Sequence, residues 1–344
     1  MTQPRDFAGS FAIDGRPVGP GHPVYFIAEA GVAHFGDMKL ARQLVDLAAA
    51  AGADGFKTQI FDVDALISGS MPDWRERLRP RNLSLEDVRT LQGWCRDAGL
   101  HFFATAHDES RIPWLTELDV PVVKVGSGER NNPGFLRRLA ALGKPMIVST
   151  GMYRLDDVER ALAACREGGC REVALLHCVT SYPTPDSDVN LRAMDALRAA
   201  FPGPVGYSDH TPDELAVLGA VARGASIIEK HITILRDVPN AQDWKVSAGP
   251  ENLARLLADI RRMERMLGSG EKRPAPCEEA AVDWATKSLV AAHDLPAGHR
   301  LLESDLTLKR PGTGMDGTRL LSVLGRTLKQ ALRADEQVLP DNLA

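Results

Sequence analysis

Apolar and polar positions along the chain alternate between two spacings as far as residue 267. Short apolar runs at 24–28, 55–59, 101–104, 122–125, 146–149, 173–177, 205–207 and 226–228 are bounded by glycine or polar residues and read as buried strands. Between them lie longer segments whose apolar residues recur three and four apart, at 37–51, 85–98, 110–117, 133–142, 155–167, 191–200, 215–223 and 251–267. In the first, Leu40, Leu44, Val45, Leu47 and Ala48 share one face; Ser84 caps the second. Eight such strand–helix repeats predict a parallel sheet closed into a (β/α)8 TIM barrel over residues 23–267.

The flanks break this rhythm. Residues 11–13 and 16–18 around Asp14-Gly15 predict a small hairpin with a type I′ turn, within an N-terminal extension over 1–22. Residues 62–81 are an insertion after the second strand, on the rim where barrel active sites collect. Residues 268–283 are polar and rich in Gly and Pro and read as a linker. The remaining residues, 284–344, carry short β-like runs and predict a small, mostly-β domain near the lower size limit for an independent core.

The stretch 208–231 organises the candidate chemistry. Thr211 as N-cap, Pro212 at the first helical position and Glu214 in a capping box predict a helix start, and Gly224 a stop. One histidine, His210 or His231, stands just past each flanking strand. Parallel neighbours lie about 4.8 Å apart, so both imidazoles should emerge at one rim within reach of a single metal ion. Other strand ends carry Glu29, Lys57 with Gln59, Lys124 with Ser127 and Glu129, Ser149, and Ser208. Two lysines, three serines and glycine-flanked N–H groups would make a cradle for a phosphorylated anion. Glu229 reads equally as a buried structural partner of His231 or as a catalytic group.

Composition narrows the classes. The 344 residues are 44% hydrophobic and 25% charged, with a net charge of −5, which gives no general attraction for nucleic acid. No run approaches the roughly 20 apolar residues that cross a membrane, and the N-terminus lacks the apolar core of a secretory signal. Five scattered cysteines without a C-x-x-C pair suggest reduced thiols and a cytoplasmic location.

Ordered motifs then add a resemblance. Residues 27–34 followed by Gly36-Asp37, then 51–59, 124–129, 143–152, 176–178, 182–185, 208–211, 229–231 and 309–312, resemble the sialic acid synthase family of the N-acetylneuraminate and legionaminate type. That family condenses phosphoenolpyruvate with an N-acetylated amino sugar. The resemblance implies a TIM barrel followed by an antifreeze-like SAF domain, a divalent cation of the Mn2+ or Mg2+ type, and a domain-swapped homodimer. It implies that His210 and His231 bind the metal, and that Lys57, Gln59, Lys124, Ser127, Ser149 and Ser208 surround phosphoenolpyruvate. Glu29 would move protons; Glu129, Tyr182 and Asp243 would contact the sugar; Arg310 would reach a partner's site and bind the N-acyl group. Ala33, Leu235 and the segment 240–243 depart from the family's usual residues, as do Thr180 and Trp284 at variable positions. These fall in sugar-contacting stretches and leave the acceptor open. Two other readings stand beside this one: a Schiff-base aldolase on Lys57 or Lys124, and a non-catalytic carbohydrate-binding protein, suggested only by the C-terminal domain.

Overall fold

A computed structural model describes residues 6–344. The chain separates into two compact units, the first ending at Gly268 and the second beginning at Ser269.

In the first unit, β1 (Phe11–Ile13) and β2 (Arg16–Val18) form an antiparallel hairpin. Asp14 (φ 47°) and Gly15 (φ 80°) are both left-handed, as a type I′ turn requires. Eight parallel strands follow: β3 (Tyr25–Gly31), β4 (Gly55–Ile60), β5 (His101–Ala106), β6 (Val123–Val125), β7 (Met146–Ser149), β8 (Val173–Cys178), β9 (Val205–Asp209) and β10 (Ile227–His231). They pair in the order β5-β4-β3-β10-β9-β8-β7-β6, so the last strand lies on the first and the ladder's two ends are β5 and β6. The result is a nearly closed (β/α)8 barrel. Its strands are buried on both faces, which is why they read as continuous apolar runs.

The helices follow local signals. Asp37 accepts a hydrogen bond from Lys39 N at 2.7 Å to start Met38–Ala51, and Gly52 (φ 79°) ends it. Ser84 caps Leu85–Asp97 as expected, and Asp87 completes a capping box with it. The insertion after β4 folds as Val63–Leu66, Pro72–Leu78 and a 3-10 turn at Arg79–Arg81. One local expectation fails. The helix after β9 begins only at Leu215, and Thr211 is no cap; its hydroxyl binds the Asp209 carboxylate at 2.9 Å. The cause is tertiary. Lys230 Nζ donates to the carbonyls of Thr211 (2.7 Å) and Asp213 (3.2 Å), holding this segment as a loop.

The second unit has its own core of Leu289, Leu295, Leu301, Leu328, Leu332 and Val338. Within it β11 (Ser288–Ala291) pairs antiparallel with β12 (Leu306–Lys309). The segment read as a linker contains a 3-10 turn, Pro276–Glu278, and the start of a helix, Glu279–Ala285, that crosses the expected domain boundary. Among the described residues, no helix is long and apolar enough to cross a membrane.

Candidate active site

Strand register brings the polar strand ends together. Glu29 on β3 stands opposite Lys57 on β4 and His231 on β10, while Ser208 on β9 stands opposite Glu229 on β10 and Cys178 on β8. Lys57 Nζ lies 2.6 Å from Glu29 Oε2, an ion pair not aligned as a hydrogen bond, and donates to Thr105 Oγ1 at 3.1 Å. Gln59 Nε2 donates to Glu29 Oε1 at 3.2 Å. Across the barrel interior, Lys124 Nζ donates to Ser149 Oγ at 2.7 Å and sits 3.4 Å from Glu229 Oε2. Ser208 Oγ donates to Glu229 Oε1 at 3.2 Å. All six of Glu29, Lys57, Lys124, Ser149, Ser208 and Glu229 are buried.

A bulge shapes this floor. The register slips between Glu29 and Gly31, whose φ is +54°, and Thr58 Oγ1 donates to the Gly31 carbonyl at 2.9 Å. A Cβ at Gly31 would stand 3.3 Å from Glu29 Oε1 and 3.5 Å from His231 Cε1, so the left-handed dihedral calls for glycine and the space around it is tight.

Charge within the floor is balanced by pairing. Burial pulls the Lys57 pKa down, but the Glu29 and Glu229 charges outweigh it and hold Lys57 above the ordinary lysine range. Burial prevails at Lys124, which lies below that range despite Glu229, with Lys57 adding to the effect. Burial opposes ionisation of Glu229, yet the two lysines and the nearby histidines keep it below the ordinary carboxylate range.

At the edge of this floor the His210 and His231 rings lie 5.4 Å apart between centroids. His210 Nδ1 donates to the Val179 carbonyl at 2.6 Å, which leaves Nε2 with a free lone pair. Burial, then the neighbouring His231, lowers the His210 pKa to about 3, so it is a neutral ligand-competent imidazole. His231 Nδ1 is buried with no partner. Tyr182 covers both rings, with centroids 4.1 Å from His210 and 5.8 Å from His231. Beneath them, a buried ion pair between Lys230 and Asp209 joins the residues that precede the two histidines. Among the described residues, no cluster of three or more His, Cys, Asp or Glu side chains is placed to enclose a metal ion. The two histidines fit only an open site, with remaining positions left to water or substrate.

Two cavities meet here. An inner one of about 170 Å3 is lined by the floor residues with Ser127 and His210. An outer one of about 810 Å3 is lined by Gln59, His107, Tyr182, His231, Asp243 and the insertion. The insertion and the loop at 236–243 are tied at the mouth, where Arg77 and Arg81 both donate to the Asn240 carbonyl, at 3.0 and 3.2 Å.

Residues 44–272 match the NeuB family, and residues 286–344 match the SAF domain. The chain belongs to the NeuB family. It is 37% identical over 331 residues to the protein MJ1065 of Methanocaldococcus jannaschii, covering 96% of this chain and 98% of that one. It is 36% identical to the N,N′-diacetyllegionaminic acid synthase of Campylobacter jejuni, covering 91% and 98%. Among solved structures, the N-acetylneuraminic acid synthetase of Leptospira borgpetersenii in complex with citrate superposes with a TM-score of 0.75 at 32% identity, covering 80% of this chain and 96% of that one. The family resemblance and the barrel-plus-SAF architecture expected from sequence are both found.

Against this family frame, the residues singled out from sequence do not all meet. Glu29, Lys57, Gln59, Lys124, Ser127, Ser149, Ser208, Tyr182, His210 and His231 line the inner cavity. Ser127 is held there by the Gly151 N–H at 2.9 Å. Asp243 lines only the outer cavity. Glu129 lines neither cavity. It sits in the 3-10 turn after β6, accepts from Asn132 Nδ2 at 2.9 Å, and faces a separate crevice with Arg130 and Arg160. Arg310 belongs to the second unit, where its guanidinium carbon lies 5.9 Å from the Trp284 ring centroid. Sequence reasoning passed over Thr105, His107 and Cys178, all of which line the inner cavity. A usable signal existed for two of them: Thr105 and His107 share parity at the end of β5, as Lys57 and Gln59 do on β4.

Proposed function

We propose that the protein is a transferase that condenses phosphoenolpyruvate with an N-acetylated amino sugar, N-acetylmannosamine or a 2,4-diacetamido-trideoxyhexose, giving a nine-carbon 2-keto acid and phosphate. The observation that carries this reading is the buried floor, in which two lysines and three serines converge beside an open histidine pair.

In this reading Lys57, Lys124, Ser127, Ser149 and Ser208 hold the phosphate and carboxylate of phosphoenolpyruvate and fix its methylene carbon, C3, toward the outer cavity. C3 attacks the aldehyde carbon of the open-chain sugar, forming the new carbon–carbon bond. Water adds to C2, and the resulting tetrahedral hemiketal phosphate breaks its C2–O bond to release phosphate. Glu29, placed between Lys57 and Gln59, transfers the proton lost by water to the new alkoxide. Tyr182 and Asp243 face the acceptor. Arg310, reaching across a domain-swapped homodimer, binds its N-acyl group.

His210 and His231 are suited to hold a divalent cation of the Mn2+ or Mg2+ type. Such an ion would supply Lewis-acid polarisation of the acceptor aldehyde. The floor's own charge supports a further cation. Two lysines and two glutamates cancel, whereas phosphoenolpyruvate brings about three negative charges from its phosphate and carboxylate. A Schiff base on Lys57 is disfavoured, because Glu29 and Glu229 stabilise its ammonium form.

The test is phosphate release from phosphoenolpyruvate in the presence of Mn2+ and each candidate sugar, with the 2-keto acid identified by mass. Absence of phosphate release with every such sugar would overturn the reading, as would a borohydride-trapped substrate adduct on Lys57 or Lys124.

A further inference from the structure

His107 is the one histidine of the inner cavity with no place in this scheme. Its backbone N–H donates to the Ile60 carbonyl at 3.0 Å, fixing the residue just past β5. Its ring packs against Gly126, with Cε1 3.6 Å from where a Cβ there would stand. It lines both cavities, so it forms the wall where floor and mouth meet. Its Nε2 is buried and has no hydrogen-bond partner. A buried nitrogen left without a partner is destabilising and calls for an explanation. Burial, then the charges of Lys57 and Lys124, lowers its pKa to about 4, so the ring is neutral at pH 7. A neutral imidazole carries one N–H, and an anion beside Nε2 selects the tautomer with the proton there.

We infer that His107 is a further donor to phosphoenolpyruvate beside those lysines and serines, its Nε2–H binding an oxygen of the anion held by Lys57 and Lys124. This rests on the inner cavity being the phosphoenolpyruvate site. An oxygen of the anion would give this nitrogen the partner that the protein does not supply. The neutral ring also suits the location: a third cation beside two lysines would be repelled, whereas an uncharged donor is not.

The experiment compares wild type with H107F, which keeps the ring's shape without a donor, and H107Q, which restores an N–H. Phosphoenolpyruvate affinity is measured by titration calorimetry on the full chain, and KM is measured for both substrates. We expect H107F to weaken phosphoenolpyruvate binding and raise its KM by about tenfold or more, with the acceptor KM changed less than twofold. H107Q should recover most of the loss, and the melting temperature of H107F should equal or exceed that of wild type, because an unpaired polar group has gone. A merely structural histidine would give the reverse: lower stability and an unchanged phosphoenolpyruvate affinity. Equal affinity in wild type and H107F overturns the inference alone. Failure of wild type to bind phosphoenolpyruvate overturns it together with the reading of the cavity. Should H107F not fold, H107Q and H107A carry the same comparison, with tight binding by H107A as the refuting result.

Discussion

The floor and the mouth of this site are built by opposite means. The floor is made of strand residues, almost wholly buried, each held by a partner on another strand: Glu29 with Lys57, and Lys124 with Ser149 and Glu229. The mouth is made largely of the insertion and the loop at 236–243, mostly half-buried or exposed and tied by two arginines to a single backbone carbonyl at Asn240. A buried, cross-braced floor can be changed only with a large penalty, because each charge depends on another for its compensation. A loop-built mouth can be re-cut residue by residue at little penalty to the fold. On the proposed reading, the molecule confines the anion to the rigid part and leaves the acceptor to the adjustable part.

The sharpest way to break that contrast is at Lys124. Lys124→Met should lower kcat/KM for phosphoenolpyruvate by at least a thousandfold, and should destabilise the barrel by up to about 3–5 kcal/mol because buried Glu229 loses its direct ion-pair partner. Adding Glu229→Gln should recover most of the stability in chemical denaturation without recovering turnover. If the double variant regains activity, the floor is structural and the contrast collapses.

At the boundary between the two regions, His210→Ala and His231→Ala should each abolish Mn2+-dependent phosphate release while leaving phosphoenolpyruvate affinity within about threefold by calorimetry, since Lys57, Lys124 and the serines remain. Full turnover of either variant after EDTA treatment would refute the metal role.

A mouth residue should behave differently. Asp243→Asn should raise the acceptor KM by about tenfold, leave the phosphoenolpyruvate KM unchanged, and shift the melting temperature by no more than a degree or two, because the residue lines only the outer cavity. Steady-state kinetics with both substrates varied separates these terms. An equal effect on both KM values would show that mouth and floor are one unit.

The same division governs what the sequence could tell. The strands, the helices and nearly all floor residues were readable, because barrel strands announce themselves as apolar runs and a polar residue at the end of such a run is conspicuous. The role of Glu229 was not, because its pairing with Lys124 joins β10 to β6 across the interior, and no spacing along the chain encodes a cross-barrel contact. Thr211 shows the converse failure. Its cap signal was locally sound, but the Lys230 ammonium claims the carbonyls around it. Glu129 was read as a sugar contact from its motif alone; the 3-10 turn after β6 places it on a separate crevice, where Asn132 donates to it. The mouth was the least readable part, since where a loop carbonyl such as Asn240 meets two arginines from an insertion depends on packing, not on pattern.

Acidification offers the mildest probe of the contrast. His34 is buried, and its Nδ1 accepts from the Gly36 N–H at 3.0 Å. Burial, then Arg81, lowers its pKa to about 4, as burial and the lysines do for His107. In the unfolded chain both titrate near 6.5. Between pH 6.5 and about 4 the unfolded chain therefore binds protons that the folded one refuses, so the stability from these neutral rings is fully present above pH 6.5 and is lost as pH falls toward 4. Melting temperatures across this window should fall for wild type and fall less steeply for H107F. Saturating phosphoenolpyruvate should flatten the share due to His107, whose low pKa stems partly from two lysines that the anion would neutralise. It should leave the share due to His34, which lines neither cavity. An acid limb insensitive both to H107F and to phosphoenolpyruvate would place the whole effect outside the floor.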